Sequence, residues 1–205
     1  MFEIYLIGIN SHSILFQFLF SSFPFDYFSL YMIKKYEVLE TDRLRLKAVS
    51  LDDAKLVLDV LTMPKWKEFI GDRNVNDEED AISYIKERML PQYEKIGYGN
   101  YCLIRKSDDA KMGFCGLYDR EGLESVDIGF AILPEYEGKG YTYEAARCML
   151  SFGFDTLGIK LIQGITSKEN IASQRLLEKI GLESKGEVRL PNEDEDLLLY
   201  NKISD

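Results

Sequence analysis

Histidine is nearly absent from this sequence, and cysteine and proline are scarce. The 205 residues include one histidine, His12, three cysteines and five prolines. Metal sites of the usual type need several histidine or cysteine ligands, so we predict no metal. A Ser-His-Asp or Cys-His hydrolase would have to use His12. The scattered cysteines, Cys102, Cys115 and Cys148, indicate reduced core residues of a cytoplasmic protein rather than a disulfide framework.

The sequence also has no block of basic residues. Aspartate and glutamate number 35 against 25 lysines and arginines, which gives a net charge of −10. Proteins that bind nucleic acids concentrate positive charge to neutralise phosphates, so we predict no nucleic-acid partner. A negative surface attracts amines or basic peptides, although solubility alone also explains the charge.

Hydrophobic runs of membrane-spanning length are lacking too, although the first 31 residues are rich in Phe, Leu and Ile. Their densest part, residues 14–25, is shorter than the roughly 20 apolar residues that cross a bilayer. No basic segment precedes it and no cleavage site is evident, which disfavours a secretory signal. We therefore expect an apolar extension of doubtful function over residues 1–31 and a single domain over residues 32–205. The alternative for the extension is a membrane-associated arm, and we predict no stable membrane insertion.

The most informative segment joins an apolar run to a helix through closely spaced glycines. Val126–Leu133 has the branched and aromatic residues of a buried strand, which should end or bulge at Pro134. A turn with two glycines follows over residues 137–142, and a helix comes next. A strand, glycine loop and helix in this order point backbone N–H groups at an anion such as a phosphate. The spacing fits neither the Walker loop nor the three-glycine dinucleotide fingerprint.

The rest of the chain predicts an α+β order with a central meander of antiparallel strands. The predicted elements are a strand over 40–49, a helix after Ser50 that Pro64 ends, a loop over 66–76, a helix from 76 or 77, strands over 98–105, 112–118 and 126–133, a helix over 141–154, a strand over 161–166, a helix over 170–179, an acidic loop over 191–196 and a strand over 197–200.

The glycine loop resembles motif A of the GCN5-related N-acetyltransferase (GNAT) family, which holds the pyrophosphate of acetyl-CoA. The family pattern is Arg/Gln-x-x-Gly-x-Gly/Ala, and the loop here runs from Glu137 to Thr142. Gly140 matches the central glycine, whereas Glu137 and Thr142 depart from the first and last positions. Backbone N–H groups make most of the contact in such a loop, so Thr142 is tolerable and Glu137 is expected to face solvent.

Further segments resemble the branch of the ribosomal-protein alanine N-acetyltransferases (the RimJ/RimL-type branch). Residues 40–47 (ETDRLRLK) are similar to its Glu-Thr-x-Arg-Leu-x-Leu-Arg, and residues 127–130 (DIGF) to its Glu-Ile-Gly-Tyr. Residues 141–145 (YTYEA) match Tyr-x-x-Glu-Ala, and residues 170–173 (NIAS) match Asn-x-x-Ser. The resemblance covers about residue 36 to the end of the chain. It implies a GNAT fold, a mixed and mostly antiparallel sheet with helices on both faces, split between the fourth and fifth strands to hold acetyl-CoA.

The resemblance also implies an activity. An acetyl group would move from acetyl-CoA to a primary amine, either a protein N-terminus or a small molecule, by direct attack in a ternary complex without a metal. Three groups of residues would hold acetyl-CoA: Phe130, Ala131, Ile132 and Leu133 at the pantetheine and acetyl group, Gly138, Lys139, Gly140, Tyr141 and Thr142 at the pyrophosphate, and Asn170 and Ser173 near the thiol. The loop that lines the acceptor side in the family carries Trp66, Asp72 and Arg73 here, with the core as the alternative place for Trp66.

Asp127 and Ser173 are the candidate catalytic residues. Asp127 is expected either to act as a general base through water or to pair with a neighbouring cation. Ser173 would protonate the leaving sulfur or would cap its helix. Many members of the family place a tyrosine acid where this sequence has Leu177, so either Ser173 takes that role or the thiolate leaves unassisted. An acyl-CoA sensor that transfers nothing is the alternative function, and a homodimer is expected by analogy.

Overall fold

A single open sheet runs through the part of the chain that the computed structural model describes, residues 38–191 and 195–204. Its strands are β1 (Leu39–Glu40), β2 (Leu44–Ala48), β3 (Asn100–Arg105), β4 (Lys111–Tyr118), β5 (Asp127–Ile132), β6 (Leu161–Thr166), β7 (Glu183–Val188) and β8 (Leu197–Ile203). They lie side by side in the order β1-β2-β3-β4-β5-β6-β8-β7. The pair β5 and β6 is parallel and the other neighbours are antiparallel. The predicted α+β class with a mixed, mostly antiparallel sheet is therefore confirmed.

Helices connect these strands, and their starts follow capping chemistry. They are α1 (Ala54–Leu61), α2 (Pro64–Phe69), α3 (Glu78–Tyr84), α4 (Leu90–Ile96), α5 (Tyr141–Ser151) and α6 (Ile171–Lys179). Asp77 caps α3, because its carboxylate accepts a hydrogen bond from the Asp80 N–H. Asn170 caps α6 in the same way through the Ser173 N–H. Short π-helical segments join α3 to α4 and extend α5.

The core lies on both faces of the sheet, as the alternation of side chains along a strand requires. Leu103 and Leu117 point to the face where Ala146 and Met149 of α5 are buried. On the opposite face, one cluster holds Cys102 and Phe114 of the sheet and these buried residues of the first helices: Leu56, Val57, Val60, Leu61, Ala81 and Ile85. Helices therefore cover both faces, as predicted.

The parallel strands β5 and β6 touch at one end only. Asp127 pairs with Gln163, and the Gln163 N–H donates to the Val126 carbonyl oxygen at 2.9 Å. Among the described residues the two strands share no further ladder position, so they diverge toward their C-terminal ends. The predicted split is confirmed. It lies between the fifth and sixth strands, since the two-residue β1 counts as a strand of its own.

Two features differ from the predictions. Trp66 was assigned to a loop, but it lies on α2, because Pro64 begins this helix rather than ending α1. The fixed φ of proline suits the first position of a helix. Strand β7 was not predicted, because its residues are polar and mostly exposed at the edge of the sheet and give no alternation to detect.

Some predictions fall outside the described residues. Those for residues 1–31, which include His12, lie there, as does the middle of the acidic loop, residues 192–194. Within the part that is described, no helix has the length and apolar character needed to cross a membrane.

The close approach of β4 and β5 next to the glycine loop predicts a strong effect of one substitution. A Cβ added at Gly113 would lie 2.2 Å from the Ala131 carbonyl oxygen and 2.7 Å from the Ile132 Cα. Both are backbone atoms and have little room to move. We expect Gly113→Ala to lower the free energy of unfolding by about 3 kcal/mol in urea denaturation.

Gly99→Ala is the matched control, because the atom nearest to its new Cβ would be Gln92 Nε2 at 3.4 Å. We expect this variant to change the free energy of unfolding by less than about 1 kcal/mol. A Gly113→Ala variant as stable as the control would contradict the close packing of these strands.

Candidate functional site

The glycine loop follows directly on the diverging end of β5. The Leu133 N–H donates to the Met112 carbonyl oxygen at 2.8 Å, which holds this end of the strand against β4. Gly138 and Gly140 then adopt left-handed backbone angles, with φ of 70° and 79°. Other residues would be strained there by roughly 1–2 kcal/mol, so the glycines allow the tight turn into α5.

Backbone donors are concentrated in this loop. For the N–H groups of residues 138–142 we find no acceptor among the described residues. The first turn of a helix leaves its N–H groups unpaired and carries a partial positive charge. An added Cβ at Gly138 would have no atom within 4 Å, so a ligand can approach the backbone closely. The loop therefore has the donors and the space that a diphosphate requires.

Glu137, the acidic departure from the resembled motif, is exposed as expected and is also ion-paired. Lys65 Nζ on α2 lies 2.9 Å and 2.7 Å from its two carboxylate oxygens. The pair joins α2 to the glycine loop. The negative charge is balanced by Lys65, which reduces its repulsion of an anion at the loop.

A second carboxylate, Glu144 in the first turn of α5, binds the segment that leads into β2. Its Oε1 accepts hydrogen bonds from Thr41 Oγ1 at 2.5 Å and from the Arg43 N–H at 2.8 Å, and its Oε2 accepts one from Arg43 Nε at 2.6 Å. Partial burial by itself raises the pKa of Glu144, but these hydrogen bonds outweigh it, so the pKa lies below the ordinary value.

Asp127 lies at the closed end of the split, where β5 and β6 meet. Its side chain is 2% exposed, and Arg120 Nε and Nη2 lie 3.0 Å and 3.4 Å from its two oxygens. Burial raises the pKa of Asp127 above its usual range, and the Arg120 guanidinium opposes this rise. The carboxylate is therefore held in an ion pair in the present arrangement.

A tyrosine lies on the same side of the sheet as Asp127. The Tyr118 hydroxyl donates to Asn100 Oδ1 at 2.5 Å. Its ring packs against the backbone of Gly129, where an added Cβ would lie 2.7 Å from Tyr118 Cε2. Burial is the main cause that raises the pKa of Tyr118, so the phenol stays protonated. At the closed end of the split, the neutral Tyr118 hydroxyl and the ion pair of Asp127 with Arg120 therefore lie on the same face of the sheet.

The other predicted thiol-end residues lie at the start of α6. Asn170 Oδ1 accepts a hydrogen bond from the Ser173 N–H at 3.1 Å, so the asparagine caps the helix. The Ser173 side chain is half-buried in the first turn of α6. Leu177, one turn further, is 1% exposed and belongs to the core.

The three predicted acceptor-side residues do not lie in one environment. Trp66 on α2 packs against the core cluster of the first helices, as Ala131 and Leu133 also do, and its buried indole N–H has no hydrogen-bond partner among the described residues. Asp72 is exposed, and hydrogen bonds from Lys67 and then from the Asn74 N–H lower its pKa. Arg73 Nη2 donates to the Ile70 carbonyl oxygen at 3.1 Å. Trp66 is therefore the one of the three that packs against the core.

Sequence reasoning missed the partners that hold these groups in place. Arg43 is part of the Glu-Thr-x-Arg pattern that was recognised, but its contacts with Lys139 and Glu144, 96 and 101 residues away, left no local signal. Lys65, Arg120 and Tyr118 were not singled out at all. Within residues 38–191 and 195–204, no three histidine, cysteine, aspartate or glutamate side chains are grouped as a metal site.

Comparisons with known proteins agree with this arrangement. The model of the acetyltransferase (GNAT) domain matches residues 43–183. The uncharacterized N-acetyltransferase YoaA of Bacillus subtilis (strain 168) is 29% identical over 155 residues, which cover 75% of this chain and 87% of that protein.

Solved structures share the fold. A GNAT-family acetyltransferase from Bacillus anthracis has a TM-score of 0.68 at 24% identity and covers 82% of this chain and 98% of its own. The ribosomal-protein-S5-alanine acetyltransferase from Vibrio fischeri has a TM-score of 0.69 at 16% identity, over 82% of this chain and 97% of its own. With the split sheet, the glycine loop and a domain match that spans both, the chain belongs to the GNAT acetyltransferase family.

Proposed function

We propose that this protein transfers an acetyl group from acetyl-CoA to a primary amine by direct attack in a ternary complex. One observation carries the proposal: β5 and β6 part beyond Asp127, and the strand leads into a loop of backbone N–H donors. An extended thioester can lie along the free edge of β5 while its diphosphate reaches the loop. Family membership supports acetyl-CoA as the donor.

The cofactor-binding residues of the proposal follow the course of β5 and the loop. The main chain of residues 130–133 would bind the pantetheine and acetyl group, and residues 138–142 the pyrophosphate. Asn170 would orient the thiol end through its amide nitrogen, since its oxygen is already used to cap α6. Holding the thioester and the amine face to face supplies much of the rate of such a transfer.

Proton transfer is assigned to Asp127 and Ser173. The attacking amine must lose a proton, and Asp127 would accept it through water, because the carboxylate is 2% exposed and already bound to Arg120. Ser173 would protonate the leaving sulfur from the first turn of α6. Leu177 has no proton to give, so Ser173 is the proposed acid at this end of the site.

The acceptor is a primary amine on a protein N-terminus or a small molecule. Trp66, Asp72 and Arg73 are the proposed acceptor-side residues, and Trp66 contributes the unpartnered indole N–H described above. We also propose a cytoplasmic protein without a metal or nucleic-acid partner, and a homodimer by analogy with the family. Burial raises the pKa of Cys102 to about 12, which keeps that thiol protonated and unreactive.

A sensor that binds acyl-CoA without transferring it is the second candidate. It is favoured by the ion pair that occupies Asp127 and by the buried Leu177 in the place of a tyrosine acid. Both functions require binding of CoA, so turnover separates them.

Thiol release from acetyl-CoA tests the proposed function. We expect an increase in free thiol that depends on both the protein and an added amine, measured with a panel of N-terminal peptides, polyamines and other small primary amines. We expect calorimetry to show that CoA binds. Binding without thiol release on any amine would favour the sensor, and absence of CoA binding would contradict both functions.

Replacement of Asp127 tests the proposed base. We expect Asp127→Asn to lower kcat by about 100-fold or more while the KM for acetyl-CoA stays the same, because the amine loses its proton acceptor. An unchanged kcat would show that Asp127 serves only as the partner of Arg120.

The same variant makes a prediction for stability against pH. Because the folded pKa of Asp127 is raised above its unfolded value of about 4, this group stabilises the fold at low pH and loses that contribution as the pH rises through the folded pKa. The free energy of unfolding of the wild type, relative to Asp127→Asn, should therefore fall as the pH rises from the unfolded pKa of about 4 through the folded pKa. A difference that rises with pH over this range would contradict the raised pKa.

A further inference from the structure

We infer that Arg43 is a positioning residue for the diphosphate loop, where it both fixes the loop backbone and neutralises Glu144. This inference rests on the proposed binding of acetyl-CoA and adds a residue from a distant part of the chain to that site. We call the group of Thr41, Arg43 and Glu144 the β2–α5 clasp.

The first part of the clasp is the Glu144 carboxylate, whose two oxygens both accept hydrogen bonds. Three donors from Thr41 and Arg43 reach the two oxygens of Glu144 at 2.5–2.8 Å. Two of these donors belong to Arg43, one from its backbone and one from its guanidinium. The start of β2 is thereby tied to the first turn of α5.

The second part is the contact between the Arg43 guanidinium and the loop itself. Arg43 Nη1 donates to the Lys139 carbonyl oxygen at 3.0 Å. The guanidinium carbon lies 4.5 Å from the centre of the Tyr141 ring, and a Cβ added at Gly140 would lie 3.4 Å from Nη2. One side chain therefore lies against three consecutive residues of the loop whose N–H groups are the proposed diphosphate donors.

Electrostatics give the clasp its second role. Glu144 lies in the first turn of α5, at the helix end that favours an anion, and its bare charge would repel a diphosphate there. Arg43 balances this charge. Its Nη1 and Nη2 groups lie next to Lys139 and Gly140 of the loop. Since one nitrogen holds Glu144 and another holds the Lys139 carbonyl, the flat guanidinium fits this task better than a lysine.

The contribution of the clasp to global stability should be modest. The Arg43 side chain is 46% exposed, and ion pairs at such sites contribute little to folding. The effect of removing it should therefore fall on ligand binding rather than on the fold.

Arg43→Ala tests the inference. We expect the Kd for CoA, measured by calorimetry, to rise about tenfold to a hundredfold, the loss expected for charge-assisted hydrogen bonds. We expect turnover of S-acetylpantetheine, which has no diphosphate, to stay within about twofold of the wild type. Arg43→Lys should fall between the wild type and Arg43→Ala, since it restores the charge without the fork of donors.

Arg45→Ala is the matched control, because it removes the same charge two residues further along, where Arg45 pairs with Asp109. We expect its affinity for CoA to stay close to that of the wild type. The double variant Arg43→Ala with Glu144→Gln should regain part of the lost affinity, because it removes the uncompensated carboxylate.

Several results would overturn the inference. The first is a Kd for CoA that is the same in Arg43→Ala and the wild type. The second is a loss of turnover of S-acetylpantetheine in Arg43→Ala that equals the loss of affinity for CoA. The third is a loss of affinity for CoA in Arg45→Ala as large as that in Arg43→Ala. If Arg43→Ala fails to fold, Arg43→Lys decides in its place, and wild-type affinity in that variant overturns the role of the guanidinium. A wild-type protein that does not bind CoA would instead overturn the proposed function itself.

Discussion

The structure depends on one interrupted set of main-chain hydrogen bonds. Strands β5 and β6 begin as parallel neighbours at Asp127 and Gln163 and then separate, although backbone donors and acceptors inside a protein normally find partners. The free edge of β5 is next to the glycine loop, so the unpaired groups of the strand and the N–H groups of the loop follow one another. A ligand with an extended amide-containing arm and a terminal anion satisfies both sets.

The surrounding charges make this arrangement compatible with a negatively charged ligand. The protein carries a net charge of −10, and two carboxylates, Glu137 and Glu144, lie at the loop. Each is balanced by a cation from a distant segment, Lys65 from α2 and Arg43 from the start of β2. These ion pairs add little to folding when exposed, but they remove repulsion where the anion is proposed to bind. The same contacts connect two segments of the first half of the chain, the start of β2 and α2, to the glycine loop and the start of α5.

The two ends of the split differ in polarity in a way that suits the proposed reaction. The open end has backbone donors and left-handed glycines, which recognise an anion without side-chain specificity. The closed end has the buried carboxylate of Asp127, paired with the partly exposed Arg120, and the protonated hydroxyl of Tyr118 on the same side of the sheet. Binding and proton transfer would thus be separated along β5, with the thioester between them.

Local patterns in the sequence determined the strands with buried faces, the capped helices and the loop with Gly138 and Gly140, because each depends on residues close together in the chain. Strand β7 was not predicted, because an exposed polar edge strand has no hydrophobic alternation. Helix α2 was not predicted either, because a proline such as Pro64 can stand at the start of a helix as well as after its end. Only the tertiary structure decided which charges meet. Arg43 lies 101 residues from Glu144, and no local pattern encodes a contact that forms only when β2 and α5 pack together.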